Sequence, residues 1–105
     1  MIEAIQFWNE PNNLSHWDYT IDPNWDAFST MVHYASNEVR KEAPSLTQVL
    51  GGLSPLDPGF VDLMRRQGVL ERVDVLALHG FPLDWNLWPI NEWPEKVVEM
   101  QHLAD

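Results

Sequence analysis

Short apolar runs alternate along this chain with longer segments of helical period, and that alternation limits the folds open to it. Ile2 to Trp8, Gln48 to Gly52 and Val73 to Leu78 each have the length of a β-strand. Between the first two runs, Trp25, Phe28, Val32, Ala35 and Val39 recur on one helical face. Asp22 is a suitable N-cap for that helix, Pro23 suits its first position, and Pro44 stops it. Asp57-Pro58 repeats the device and opens a helix that carries Phe60, Leu63 and Met64 and closes at Gly68. Trp93, Val97, Met100 and Ala104 predict a last helix, with Pro94 near its start. Strand then helix, three times over, predicts an α/β fold with parallel strands joined by right-handed crossovers.

The third run is almost uninterrupted β-branched and aliphatic sequence, as a strand buried on both faces requires. Along it Val73, Val75, Ala77 and His79 share one side, and Leu76 and Leu78 share the other. The leucines are expected to meet the helices and the smaller set with His79 to face inward. Gly51-Gly52 would end the second strand by letting the backbone turn. Two aromatic-rich stretches without periodicity, Pro11 to Thr20 and Phe81 to Pro89, read as loops.

Chemistry concentrates where strands give way to loops. The first strand runs into Phe7-Trp8-Asn9-Glu10-Pro11-Asn12, and His79 falls at the end of the third. Glu10 can carry a proton, while Asn9 can donate and accept hydrogen bonds without titrating. A lone loop Glu is usually a surface carboxylate, and a lone His after a strand is usually a satisfied core residue. The six-residue context raises a general acid/base role for Glu10 above that background.

Trp8-Asn9-Glu10-Pro11 resembles the acid/base signature of the clan A glycoside hydrolases, retaining enzymes on a TIM barrel. Leu78-His79-Gly80-Phe81 is similar to the end of a later strand in the same clan, where a His lines the pocket. The resemblance is strongest to the branch holding β-xylosidases and cellulase-like enzymes. It implies a partial (β/α)8 barrel of three consecutive βα units, the fourth to sixth of eight, because a whole barrel takes roughly 250 residues and this chain has 105. It also implies that Glu10 is the catalytic acid/base and that Asn9 holds the sugar 2-hydroxyl, with His79 and Trp8 in the substrate pocket. Clan members often carry a tyrosine near Phe81, and a phenylalanine cannot supply its hydroxyl. A retaining mechanism needs a second carboxylate about 5 to 5.5 Å from the first. In the clan it ends a strand beyond these three, so the nucleophile is expected outside this chain and the isolated chain is expected not to hydrolyse glycosides.

Six tryptophans in 105 residues bear on the same reading. Trp17, Trp85 and Trp88 fall in the loops that would surround a pocket, where an aromatic face can stack on a sugar ring. Packing is an equal use for them. Trp25 and Trp93 lie on helices and read as packing residues.

Composition excludes several other functions. With 16 acidic and 6 basic residues the formal charge is -10, and no basic stripe extends beyond Arg40-Lys41 and Arg65-Arg66. Nucleic acid and anionic membrane surfaces are therefore disfavoured partners. The absence of cysteine removes disulfides, thiolate metal sites and a cysteine nucleophile. Asp22-Pro23-Asn24-Trp25-Asp26 imitates the start of a calcium loop, but Ala27 and His33 occupy positions that need Gly and Glu. The histidines lack metal-ligand spacing, and Gly51-Gly52 alone is no phosphate cradle, so neither metal nor cofactor is expected.

Carbohydrate is the expected partner, together with the rest of a barrel or a second copy meeting the open sheet edges. The rival expectation is a non-catalytic half-barrel module that binds carbohydrate or a protein. A secretory signal is not apparent at Met1-Ile2-Glu3-Ala4, which leaves a cytoplasmic and a secreted parent both open.

Overall fold

A computed structural model of the chain describes residues 1–80 and 88–105. Three parallel strands form one sheet in the order β1-β2-β3, with β1 at Ala4–Phe7, β2 at Thr47–Leu53 and β3 at Val75–Leu78. Helix α1 (Asp26–Glu42) connects β1 to β2, and α2 (Pro58–Arg66) with a 3-10 turn at Leu70–Arg72 connects β2 to β3. A second 3-10 turn, Ile90–Glu92, leads into α3 (Trp93–Ala104). The α/β class and the parallel order are those the sequence predicts.

Burial explains the packing. Phe28 and Val32 of α1, Leu50 and Leu53 of β2, and Phe60, Val61 and Met64 of α2 are all buried in one cluster that Phe7, Trp25, Leu56, Val69 and Met100 complete. Trp25 stands edge-on to Phe28 and Phe60, with ring centroids 5.6 and 4.9 Å away. That geometry suits the ring quadrupoles and confirms Trp25 as a packing residue.

Helix α2 begins and ends as its sequence predicts. The Asp57 carboxylate accepts a hydrogen bond from the Phe60 N–H at 3.1 Å, and Pro58 occupies the first turn. At the other end Gly68 adopts φ +73°, which lets Gly68 N–H reach Arg65 O at 3.1 Å and Val69 N–H reach Met64 O at 2.9 Å. This crossed pair satisfies two end carbonyls, and Val69 and Met64 bury their side chains beside it.

Five expectations need correction. Helix α1 starts at Asp26 and not at Pro23, because Asp22 to Trp25 forms a turn, with Trp25 N–H bonded to Asp22 O at 3.0 Å and Trp25 at φ +60°. Asp22 nevertheless caps the helix from a distance, its carboxylate accepting from Ala27 N–H and Phe28 N–H, both at 3.0 Å. Strand β1 is shorter than the apolar run, and Met1 and Ile2 are exposed beyond it.

Strand β2 does not stop at its glycines but continues through them to Leu53. Neighbouring β3 comes so close that a Cβ on Gly51 would strike the Ala77 carbonyl oxygen, and one on Gly52 would strike the His79 ring. The glycines therefore permit close approach within the sheet. The Gly51–Gly52 and Ser54–Pro55 peptide bonds are cis.

Strand β3 is only half buried, with Val75 44% exposed, because it is an outer strand of the sheet. Leu76 and Leu78 do pack on the helix side, but Val73 joins that core as well, since it precedes the strand in extended backbone after a 3-10 turn. Asp74 then extends the pairing, its N–H donating to Gln48 O at 2.8 Å and its carboxylate accepting from Gln48 N–H at 2.9 Å.

Candidate functional site

The ends of β1 and β3 are separated by the full width of β2, yet their polar residues meet. Immediately after β1 the chain turns sharply, and Trp8 and Glu10 both take left-handed backbone conformations, φ +65° and +49°. Such conformations cost non-glycine residues roughly 1–2 kcal/mol each, so surrounding bonds must hold them. Trp8 O accepts from the Gln6 amide at 2.9 Å, and the Trp8 indole donates to His16 O at 2.9 Å. Glu10 N–H donates to Gly52 O at 3.1 Å, and Asn13 N–H donates to Glu10 O at 2.9 Å.

This turn aims the Glu10 side chain across the end of β2. Its Oε2 lies 3.7 Å from His79 Nδ1, 3.8 Å from His16 Nε2 and 3.4 Å from Asn9 Nδ2. The Glu10 side chain is 19% exposed, against 34% for His79 and 39% for His16. The Glu10 carboxylate is thus mostly covered and close to two imidazoles and an amide. Gly52 makes the arrangement fit, since it bonds Glu10 through its carbonyl and leaves room for the His79 ring.

The structure thus brings together Glu10, Asn9 and His79 of the residues singled out by sequence. Trp8 adjoins them and is 45% exposed, with its ring edge-on to Trp17 at 5.4 Å. Trp17 serves packing, for its indole donates to Asp22 Oδ2 at 3.2 Å and its ring meets Phe28 edge-on at 5.1 Å. Trp88 is held by a bond from its indole to Leu56 O at 3.0 Å, and Lys96 Nζ sits 4.2 Å from its ring centroid. Trp85 and Phe81 lie outside the described residues.

Sequence reasoning missed three contributors. His16 offers no spacing signal, because its place beside Glu10 depends on the fold of the loop. Gly52 reads as a turn residue. Asn12 belongs to the motif but its use is invisible there: its amide donates to Pro55 O at 2.7 Å and accepts from Ser54 N–H at 3.0 Å. Those bonds fasten the loop after β1 to the end of β2.

A hollow of about 270 Å³ is lined by Asn12, Tyr19, Trp25, Asp57, Gly59, Phe60 and Leu63, and includes neither Glu10 nor His79. Among the described residues, three or more His, Asp or Glu side chains nowhere gather as a metal site, and no helix is long and apolar enough to cross a membrane. No protein-family model, curated protein or solved structure matches the chain.

Proposed function

We propose that this chain is the middle part of a retaining glycoside hydrolase barrel, with Glu10 as acid/base, Asn9 as the ligand of the sugar 2-hydroxyl, and His79 and Trp8 in the pocket wall. The observation that carries this reading is the 3.7 Å approach of Glu10 to His79 from the C-terminal ends of two strands that do not pair with each other. In parallel α/β sheets ligands bind at that end. Glu10 would protonate the leaving oxygen and then take a proton from the attacking water. The nucleophilic carboxylate comes from another βα unit, which would pair with the edge of β3 that is unpaired among the described residues. A β-linked xyloside or glucoside is the substrate class the motif resemblance favours. Trp17 and Trp88 would shape the loops around the pocket by packing, whereas Trp8, 45% exposed, is accessible to a sugar.

The test is hydrolysis of aryl β-xylosides and β-glucosides by this chain alone and by the chain joined to the βα units that complete a barrel. The chain alone is expected to be inactive. The completed barrel should turn over, and Glu10→Gln should slow it by about 10²–10⁴-fold, the usual contribution of a positioned acid/base. Turnover by the isolated chain that disappears in Glu10→Gln would overturn the view that the nucleophile lies elsewhere. A completed barrel indifferent to Glu10→Gln would remove the glycosidase reading.

A further inference from the structure

The loop that carries His16 dictates which of its ring nitrogens holds the proton. Asn13 Oδ1 accepts from Ser15 N–H at 3.1 Å, which identifies it as the oxygen of that amide. Ser15 Oγ lies 2.7 Å from the same oxygen, so the hydroxyl hydrogen must point to Asn13. His16 Nδ1 lies 3.1 Å from the same Ser15 Oγ. With its one hydrogen already engaged, the hydroxyl can only accept there, and Nδ1 must carry a hydrogen. A neutral His16 then has its lone pair on Nε2, the atom that faces Glu10 Oε2 at 3.8 Å. The His16 N–H bond to Asn13 O at 2.8 Å and the Trp8 indole bond to His16 O fix the backbone beneath the ring.

We propose that His16 is the positioning residue that loads Glu10 with its proton, an inference that rests on the acid/base reading of Glu10. With protons on both His16 nitrogens and Glu10 a carboxylate, the two groups are an ion pair across 3.8 Å. When a sugar covers the site and displaces water, a charged pair becomes costly and its neutral form is favoured. The proton leaves Nε2, whose electron pair stays behind as a lone pair, and bonds to Oε2. Nδ1–H stays on Ser15 throughout. Glu10 is then a neutral acid when the leaving oxygen arrives, and no outside proton donor is consumed. Among the described residues, the other side chains that approach the carboxylate are the Asn9 amide, which does not titrate, and His79 from the end of β3, at 3.7 Å. His79 is the alternative proton donor that the test must separate.

Ring nitrogen and carboxyl carbon NMR on the 105-residue chain at low salt tests the proposal. In its neutral form His16 should carry its proton on Nδ1 with Nε2 bare, and Ser15→Ala should restore a population protonated on Nε2. The Glu10 carboxyl carbon should show a step at the pH where the His16 ring titrates. That step should be lost in His16→Gln and retained in His79→Gln. An Nε2-protonated neutral His16 in the unsubstituted chain, or a Glu10 step that survives His16→Gln, overturns the proposal. These results do not depend on turnover. A barrel that fails to hydrolyse glycosides removes the glycosidase reading and leaves the proton pair standing, while the wrong tautomer removes the pair alone.

Discussion

Gly52 decides whether Glu10 and His79 can meet. Its carbonyl holds the Glu10 backbone at 3.1 Å, and its missing side chain is the space into which the His79 ring fits. Gly52→Ala would push a methyl group against that ring in a buried position. Because the His79 side chain is 34% exposed, the ring can swing outward, and relief comes by breaking its approach to Glu10. The expected outcome is a stability loss of about 1–3 kcal/mol, as for other overpacked sites, with the His79 ring resonances shifted and no longer responsive to Glu10→Gln. Urea denaturation and ring NMR check it. An unchanged His79 signal in Gly52→Ala would show that the ring does not occupy this space. The left-handed Trp8 and Glu10 belong to the same local bargain, since strained backbone at a strand end persists only where several bonds over-determine it.

Helix ends carry the next level of specification, and two of them lend themselves to measurement. Burial pulls the Asp22 carboxyl upward, but hydrogen bonds from Ala27 N–H, Phe28 N–H and the Trp17 indole outweigh it and hold the group below its ordinary 3.8. A carboxyl lowered on folding contributes stability that is fully present above the unfolded value and is lost as pH falls through the folded one. Asp22→Ala should therefore cost about 1 kcal/mol at neutral pH, a typical cap loss, and the gap to the unsubstituted chain should narrow below pH 3.8. Thermal melts across that range check the sign. At the end of α2, the methyl group of Gly68→Ala would make only an ordinary contact with the His33 ring at 3.6 Å, so its cost is conformational. At φ +73° that cost is about 1–2 kcal/mol, with Asn milder than Ala, by urea midpoint.

The same elements show why the sequence was readable in some places and mute in others. Asp57-Pro58 and Gly68 announce α2 because capping is local, satisfied within a turn of the residues that signal it. Asp22 announces a helix that begins four residues later, since its carboxylate reaches forward past an intervening turn. The stripe of α1 was legible in Phe28 and Val32 but hid buried Ser36, whose hydroxyl donates to Arg72 O at 3.1 Å, across 36 residues of chain. Glu10 and Asn9 stood out by motif and His79 by its place after a run. Their convergence with His16 was not legible, because it depends on how β1 and β3 align across β2 and on the loop from Asn13 to Trp17.

At the scale of the molecule, three parallel strands leave the outer edges of β1 and β3 unpaired among the described residues, and one sheet face presents Val75 at 44% exposure. Open edges with exposed apolar side chains invite pairing with another chain. A formal charge of -10 opposes that pairing, because two copies repel at separations shorter than the Debye length. The balance should turn on salt. At about 0.01 M ionic strength the repulsion reaches roughly 30 Å and the chain should stay monomeric, whereas at about 1 M it falls to roughly 3 Å and association should appear. Val75→Glu places a charge on the open face at a site too exposed to disturb the core, and it should suppress the high-salt association several-fold while leaving the urea midpoint nearly unchanged. Light scattering at both ionic strengths decides the matter. Association that ignores both salt and Val75→Glu would place the contact elsewhere, on the α1 flank around Met31 and Tyr34. A chain that stays monomeric with a sharp melt at high salt would show that this sheet does not need further strands, and would count against the barrel reading from which the position of the nucleophile was inferred.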